Sequence, residues 1–129
     1  MLYAILCYND EAVVESWPKE VDDAVIAKRR VVTKKLKTQG KLGPVIRLMP
    51  TTAAVTLRSG REPLVIDGPF AETKEQLLGF YIVEAGSLDE AIDSARRIKG
   101  DEKGGAFEVR PLRVFEPNQT DFTVGAAAK

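Results

Sequence analysis

An α+β fold, two helices laid on a four-stranded sheet in the ferredoxin-like manner, is what this chain of 129 residues predicts. Two observations carry that expectation. The element order reads strand–helix–strand twice over, with a short hairpin between the halves. The first and third long apolar runs, "LYAILCY" and "LLGFYIVEA", are also short enough to be strands. The length fits one domain, here residues 1–115, followed by a polar, small-residue tail over 116–129.

"LYAILCY" (2–8) forms the first strand, and a loop leads from it to Pro18, which suits a first helical turn. Val21, Ala24, Val25, Val32 and Leu36 then recur at helical spacing. Lys34, Lys35 and Lys37 offset the dipole at the helix end, and Gly40 stops it. "VIRLM" (45–49) is a short strand closed by Pro50, while "AAVTLR" and "PLVID" flank "SGRE" as a hairpin. "LLGFYIVEA" (77–85), the most apolar segment, takes a central place. Ser87 with Glu90 makes a capping box, in which each side chain satisfies a free backbone N–H at a helix start. Leu88, Ala91, Ile92 and Ala95, extended by Ile98, form that helix's buried stripe, and Gly100 follows it. "AFEVRPLRVF" (106–115) closes the fold, with Pro111 marking a bulge or an edge strand.

Two helices cover one face of a sheet, yet both long apolar runs are apolar on both faces. Burial of apolar area is worth roughly 25 cal/mol per Å², so a bare second face would be a large exposed patch. A second copy of the chain is the simplest cover, and a homodimer is therefore expected.

Composition excludes several chemistries. Nineteen basic residues balance nineteen acidic ones, which argues against nucleic acid or a membrane surface as partner. The "KRR" at 28–30 and "KK" at 34–35 read as a solvated helix face. No run is long enough to span a bilayer, and the N-terminal "MLYAILCYNDE" lacks signal-peptide features. Cys7 is the single cysteine, so no internal disulfide forms; a buried, unreactive thiol in a reducing cytoplasm is the expectation. The chain has no histidine. That excludes a histidine base, a Ser–His or Cys–His nucleophile pair and the usual zinc or iron ligand sets. Neither a metal nor a cofactor is expected, since no nucleotide loop or dinucleotide fingerprint is present. The "NQT" sequon at 118–120 has no export signal to give it meaning.

Residues 67–76, "DGPFAETKEQ", pack many polar groups between two apolar runs. Asp67-Gly68-Pro69 has a structural reading as a turn, with Phe70 packing back on a strand. The functional reading places Asp67, Phe70, Glu72, Thr73 and Lys74 around a pocket, joined by Arg47, Tyr81 and Arg110. Arg47 and Arg110 lie in strand-like runs, so each requires solvent, a structural carboxylate partner or an anionic ligand. Without histidine, acid–base work would fall to Asp67 or Glu72, and would require their burial. Tyr81 could donate to a developing oxyanion.

"DGPFAETKEQLLGFY" (67–81) resembles the DGPF branch of the YCII-related proteins. "YNDE" (8–11), "LMP" (48–50), "SLDEAIDSARR" (87–97) and "GGAFEVRPL" (104–112) extend the likeness through residues 1–115. The resemblance implies a dimeric α+β barrel of two sheets packed face to face. It also implies a setting near extracytoplasmic-function sigma factors. Related proteins include a dehydrochlorinase of a chlorinated aromatic, for which a histidine–aspartate pair has been proposed; this chain lacks the histidine. Three functions stay open: a dimer binding a small organic ligand, a cofactor-free lyase or isomerase, and an interaction module linked to sigma-factor regulation.

Overall fold

A computed structural model describes residues 1–60 and 64–117. Within these the chain is α+β. The strands are β1 (Leu2–Asn9), β2 (Leu42–Arg47), β3 (Val55–Arg58), β4 (Leu64–Asp67), β5 (Gln76–Glu84) and β6 (Ala106–Pro111). The helices are α1 (Glu11–Glu15), α2 (Lys19–Thr38) and α3 (Leu88–Lys99), with one 3-10 turn at Thr51–Ala53. Four strands form an antiparallel sheet in the order β2-β5-β1-β6, and β3 pairs with β4 as a separate two-stranded sheet.

The period of two along each strand divides the side chains between two faces. On the front face Tyr3, Ile5 and Cys7 of β1 lie beside Tyr81 and Val83 of β5 and Val109 and Phe107 of β6. Leu36 of α2 and Ala91, Ala95 and Ile98 of α3 close this face into the core. Ile5, Leu36 and Val83 are fully buried, each worth roughly 1.5–3 kcal/mol. The small Ala91, Ser94 and Ala95 let α3 sit close to the sheet. Its larger Leu88 is exposed, because the stripe is rotated toward Ser94 and Ile98.

Local sequence rules account for most boundaries. Pro18 precedes α2 as its N-cap, and Gly40, at φ 71°, turns the chain out of it. Ser87 accepts from the Glu90 N–H at 3.2 Å. The return half of the capping box reaches one residue further back than expected, since Glu90 accepts from the Gly86 N–H at 2.9 Å. The segment expected to be only a loop after β1 contains α1, whose cap is Asp10 accepting from Ala12 N at 3.0 Å. Strand β2 begins at Leu42, earlier than expected, through a register irregularity around Pro44. β6 is an edge strand ending at Pro111, short of the expected 115, where proline removes a ladder donor. Residues 61–63 of the expected hairpin turn, and the tail with its sequon from 118 onward, lie outside the described residues.

The back face is apolar, as patterning required, with Leu2, Ala4 and Leu6 of β1 opposite Ile82 and Phe80 of β5. It is not uniformly bare. Ala4 and Ile82 are buried, Leu6 and Phe80 half-buried, and Ile46 of β2 exposed. Glu108 and Arg110 of β6 border it as an ion pair.

Candidate functional site

Helix α2 is anchored at its C-terminal end, where Leu36 is buried and Val32 packs on the core. Toward its N-terminus the stripe continues as Val25 and Ile26, which border open space, while Arg29 reaches Tyr81 and Phe107 at its edge. The result is a cavity of about 440 Å³ between α2 and the front face, within the range of small-molecule sites. Val14 and Trp17, on and just after α1, form one wall. Val45 and Tyr81 form the floor, and Phe107 with Gly104-Gly105 closes the far end. A second hollow of about 450 Å³ between α3 and β6 has Arg96 as its one charged lining residue. The first holds the convergent polar groups.

Arg29 is the centre of these. Its Nε donates to Glu102 Oε2 at 2.8 Å and its Nη2 to Oε1 at 2.6 Å, a two-point pairing of planar groups. Side-chain exposure is 24% for Arg29 and 15% for Glu102, so this pair is largely withdrawn from water. Burial works against the arginine charge, yet the Glu102 hydrogen bonds, helped by Tyr81, raise its pKa above the ordinary value. The guanidinium also lies 5.1 Å from the Phe107 ring centroid. Glu102 is held in turn by its own loop: Lys99 Nζ donates to Glu102 O at 2.9 Å and Gly104 O at 3.0 Å. Gly104 and Gly105, at φ 74° and 73°, then turn the chain into β6.

Other donors remain available. Tyr81 Oη accepts from Arg29 Nη1 at 3.5 Å, and among the described residues it donates to no protein acceptor. Arg47 Nη2 donates to Asp22 Oδ1 at 3.0 Å, leaving its other nitrogens uncommitted among those residues. The lining carries Arg29, Arg30, Arg47 and Lys99 against Asp22 and Glu102. That is four cations less two anions, an excess of two positive charges in a chain whose total is zero.

Cys7 borders the cavity but is buried, and desolvation lifts its thiol to about 11 despite the opposing pull of Arg29. Few of these thiols are ionised near neutral pH. Titration with a chromogenic disulfide at that pH should therefore label the native protein far more slowly than the urea-unfolded chain; equal rates would refute this burial.

Of the residues singled out by sequence, the structure brings Arg47 and Tyr81 to the cavity. Arg110 is on the back face, paired with Glu108 at 2.5 Å, which raises its pKa. Both strand arginines thus have carboxylate partners. Asp67, Phe70, Glu72, Thr73 and Lys74 are all exposed and line neither hollow. The DGPF turn is tied to the hairpin instead: Gly68 N donates to Ala54 O at 2.7 Å and Thr56 Oγ1 to Gly68 O at 2.8 Å. Phe70 does not pack back on a strand, being 74% exposed. The acid–base role considered for Asp67 and Glu72 has no burial to support it in this chain.

Sequence reasoning missed Arg29 and Glu102. Arg29 was grouped with the solvated "KRR", yet it stands four residues after Val25, three before Val32 and seven before Leu36. A charge on the apolar stripe was the available signal. Glu102 carried none, since its partner lies 73 residues away.

A small α+β protein with a polar-ended cavity under one helix is the class these features define. Residues 1–116 match the YCII-related domain, and the chain belongs to that family. Uncharacterized protein R00369 of Rhizobium meliloti (strain 1021) is 55% identical over 121 residues, covering 92% of this chain and 98% of the relative.

Proposed function

We propose that this protein binds a small organic anion, with an aromatic or branched apolar body, in the cavity beneath α2. The carrying observation is the net positive lining around Tyr81 and Arg47, whose free donors face a chamber otherwise walled by Val14, Trp17, Val25, Ile26 and Phe107. An acidic headgroup would take those donors, and the apolar body would displace water from the walls. Arg29 is committed to Glu102 and serves as a fixed edge of the site. The sheet order β2-β5-β1-β6 with α2 and α3 supports a ferredoxin-like sandwich. The apolar back face supports a homodimer of the barrel type. One buried thiol suits a reducing cytoplasm.

Calorimetric titration with benzoate, benzamide and benzylamine tests the reading. Benzoate should bind, benzamide about ten-fold more weakly, and benzylamine not at all. Arg47→Met should weaken benzoate about ten-fold and leave benzamide unchanged. Equal binding of the three probes, or none up to millimolar concentration, would refute it. A cofactor-free lyase or isomerase on the same cavity is the second reading, favoured by the Tyr81 hydroxyl beside Arg29.

A further inference from the structure

Helix α1 has five residues, too few to be stable on its own hydrogen bonds, and none of them is buried. Yet Val14 on it and Trp17 just beyond it wall the cavity. With no buried apolar anchor, that wall is kept in place by polar ties. The Glu11 carboxylate accepts twice from one residue: Oε2 from Thr51 N at 2.9 Å, and Oε1 from the Thr51 hydroxyl. Glu11 N donates to Gln76 Oε1 at 2.9 Å, and Gln76 Nε2 donates in turn to Thr73 O at 2.5 Å. Thr51 opens the 3-10 turn that follows β2, and Gln76 opens β5. Glu11 therefore fastens α1 to segments 40 and 65 positions along the chain. Asp10 caps the helix only locally, through Ala12 N. Neither Glu11, Thr51 nor Gln76 lines the cavity.

We propose that Glu11 is the positioning residue of this wall: its grip on Thr51 sets where Val14 and Trp17 stand, and hence the shape of the chamber they close. Its effect on ligand affinity rests on the binding reading given above; the placing of the wall does not. The two polar motifs of the sequence thereby share a task. Glu11 of "YNDE" and Gln76 of "DGPFAETKEQ" act on the cavity through α1, without touching its contents. The two-point grip depends on reach and on hydrogen-bonding shape more than on charge. Glu11→Gln keeps both bonds, because its amide oxygen accepts from Thr51 N while its NH2 donates to the Thr51 hydroxyl, which accepts as readily as it donates. Glu11→Asp keeps the charge at the helix start but is one methylene too short to reach.

Trp17 is the single tryptophan of the chain, so its fluorescence reports on this wall alone. Acrylamide quenching of the ligand-free full chain is the first measurement, with circular dichroism to check that each variant is folded. Glu11→Asp should raise the quenching of Trp17 toward that of the urea-unfolded chain, and should weaken benzoate about ten-fold. Glu11→Gln should match the wild type in both. Thr51→Val, which keeps the size and loses only the hydroxyl bond, should change both in the direction of Glu11→Asp by a smaller amount, and carries the test if Glu11→Asp does not fold. Unchanged quenching in Glu11→Asp and Thr51→Val would overturn the proposal. So would a Glu11→Gln protein that behaves as Glu11→Asp is expected to, with Glu11→Asp itself normal, since charge would then hold the wall. A quenching response with unaltered benzoate affinity would overturn the link from wall to ligand. A wild type that binds no benzoate but shows the quenching pattern removes the ligand reading and supports the placing of the wall by Glu11.

Discussion

Glu102→Ala should lower the unfolding free energy by about 2–3 kcal/mol, less than the roughly 3–5 kcal/mol of breaking a fully buried ion pair, because part of this pair still meets water. The loss comes mainly from what is left behind. Arg29 would remain charged, with its Nε and Nη2 donors stripped of their acceptor, in a wall made of Val25, Ile26 and Phe107. Its other neighbour, Tyr81 Oη at 3.5 Å, is neutral and too distant to replace a carboxylate. The double variant Arg29→Met, Glu102→Leu removes both charges and keeps the volume, and should recover most of the deficit. Urea unfolding of the wild type, Arg29→Met, Glu102→Leu and the double variant forms a complete cycle. A double variant as unstable as Glu102→Ala would show that the site depends on the charges themselves. Glu102→Gln makes a further point: with Arg29 released from its carboxylate, benzoate should bind more tightly even though the fold is weaker.

Gly79→Ala is expected to cost about 3 kcal/mol or more, and to loosen β2 in particular. Gly79 is buried in β5, beside Arg47 on one side and Cys7 on the other. A methyl group built there would overlap the Ile46 carbonyl oxygen and lie 3.0 Å from Arg47 Cα. Both obstacles are backbone, so no side-chain rotation relieves them. Strand β2 would have to move outward, carrying Val45 and Arg47 away from the cavity floor. Thermal unfolding and benzoate titration should therefore both suffer, whereas Gly40→Ala, with nothing within 4 Å of the added carbon, tests only the positive φ. A Gly79→Ala protein with wild-type stability would refute this packing.

These two sites differ in how far sequence reveals them. The bounds of α3 were legible, because the Ser87 cap and the terminal Gly100 are local signals, whereas its buried stripe runs through Ser94 and leaves the expected Leu88 exposed. β1 and β5 were legible from composition and length alone. α1 was not, since five residues carry too little periodicity to distinguish a helical turn from a loop. The DGPF stretch announced a turn, and a turn is what it forms. Its polar residues Asp67, Glu72, Thr73 and Lys74 are exposed and line neither hollow. The cavity depends on where α2 stops touching the sheet, a property of the packed whole. Arg47 and Tyr81 were expected beside the DGPF turn, and the structure places them instead at the cavity under α2, away from those residues. Arg29 needed α2 to be seen as a surface with one face turned inward, and Glu102 needed the fold itself.

The way α2 is moored at one end has a consequence for selectivity. Apolar packing of Leu36 and Val32 fixes that one end on the core, while the span bearing Val25 and Ile26 is held by polar ties, the Arg29–Glu102 pair and the Asp22–Arg47 bridge. The height of the chamber is thus set by ion pairs and not by apolar packing on the sheet. For the ligand class proposed above, a broader guest would have to strain those ties, while the sign of its charge would be read by Arg47 on β2 and Tyr81 on β5.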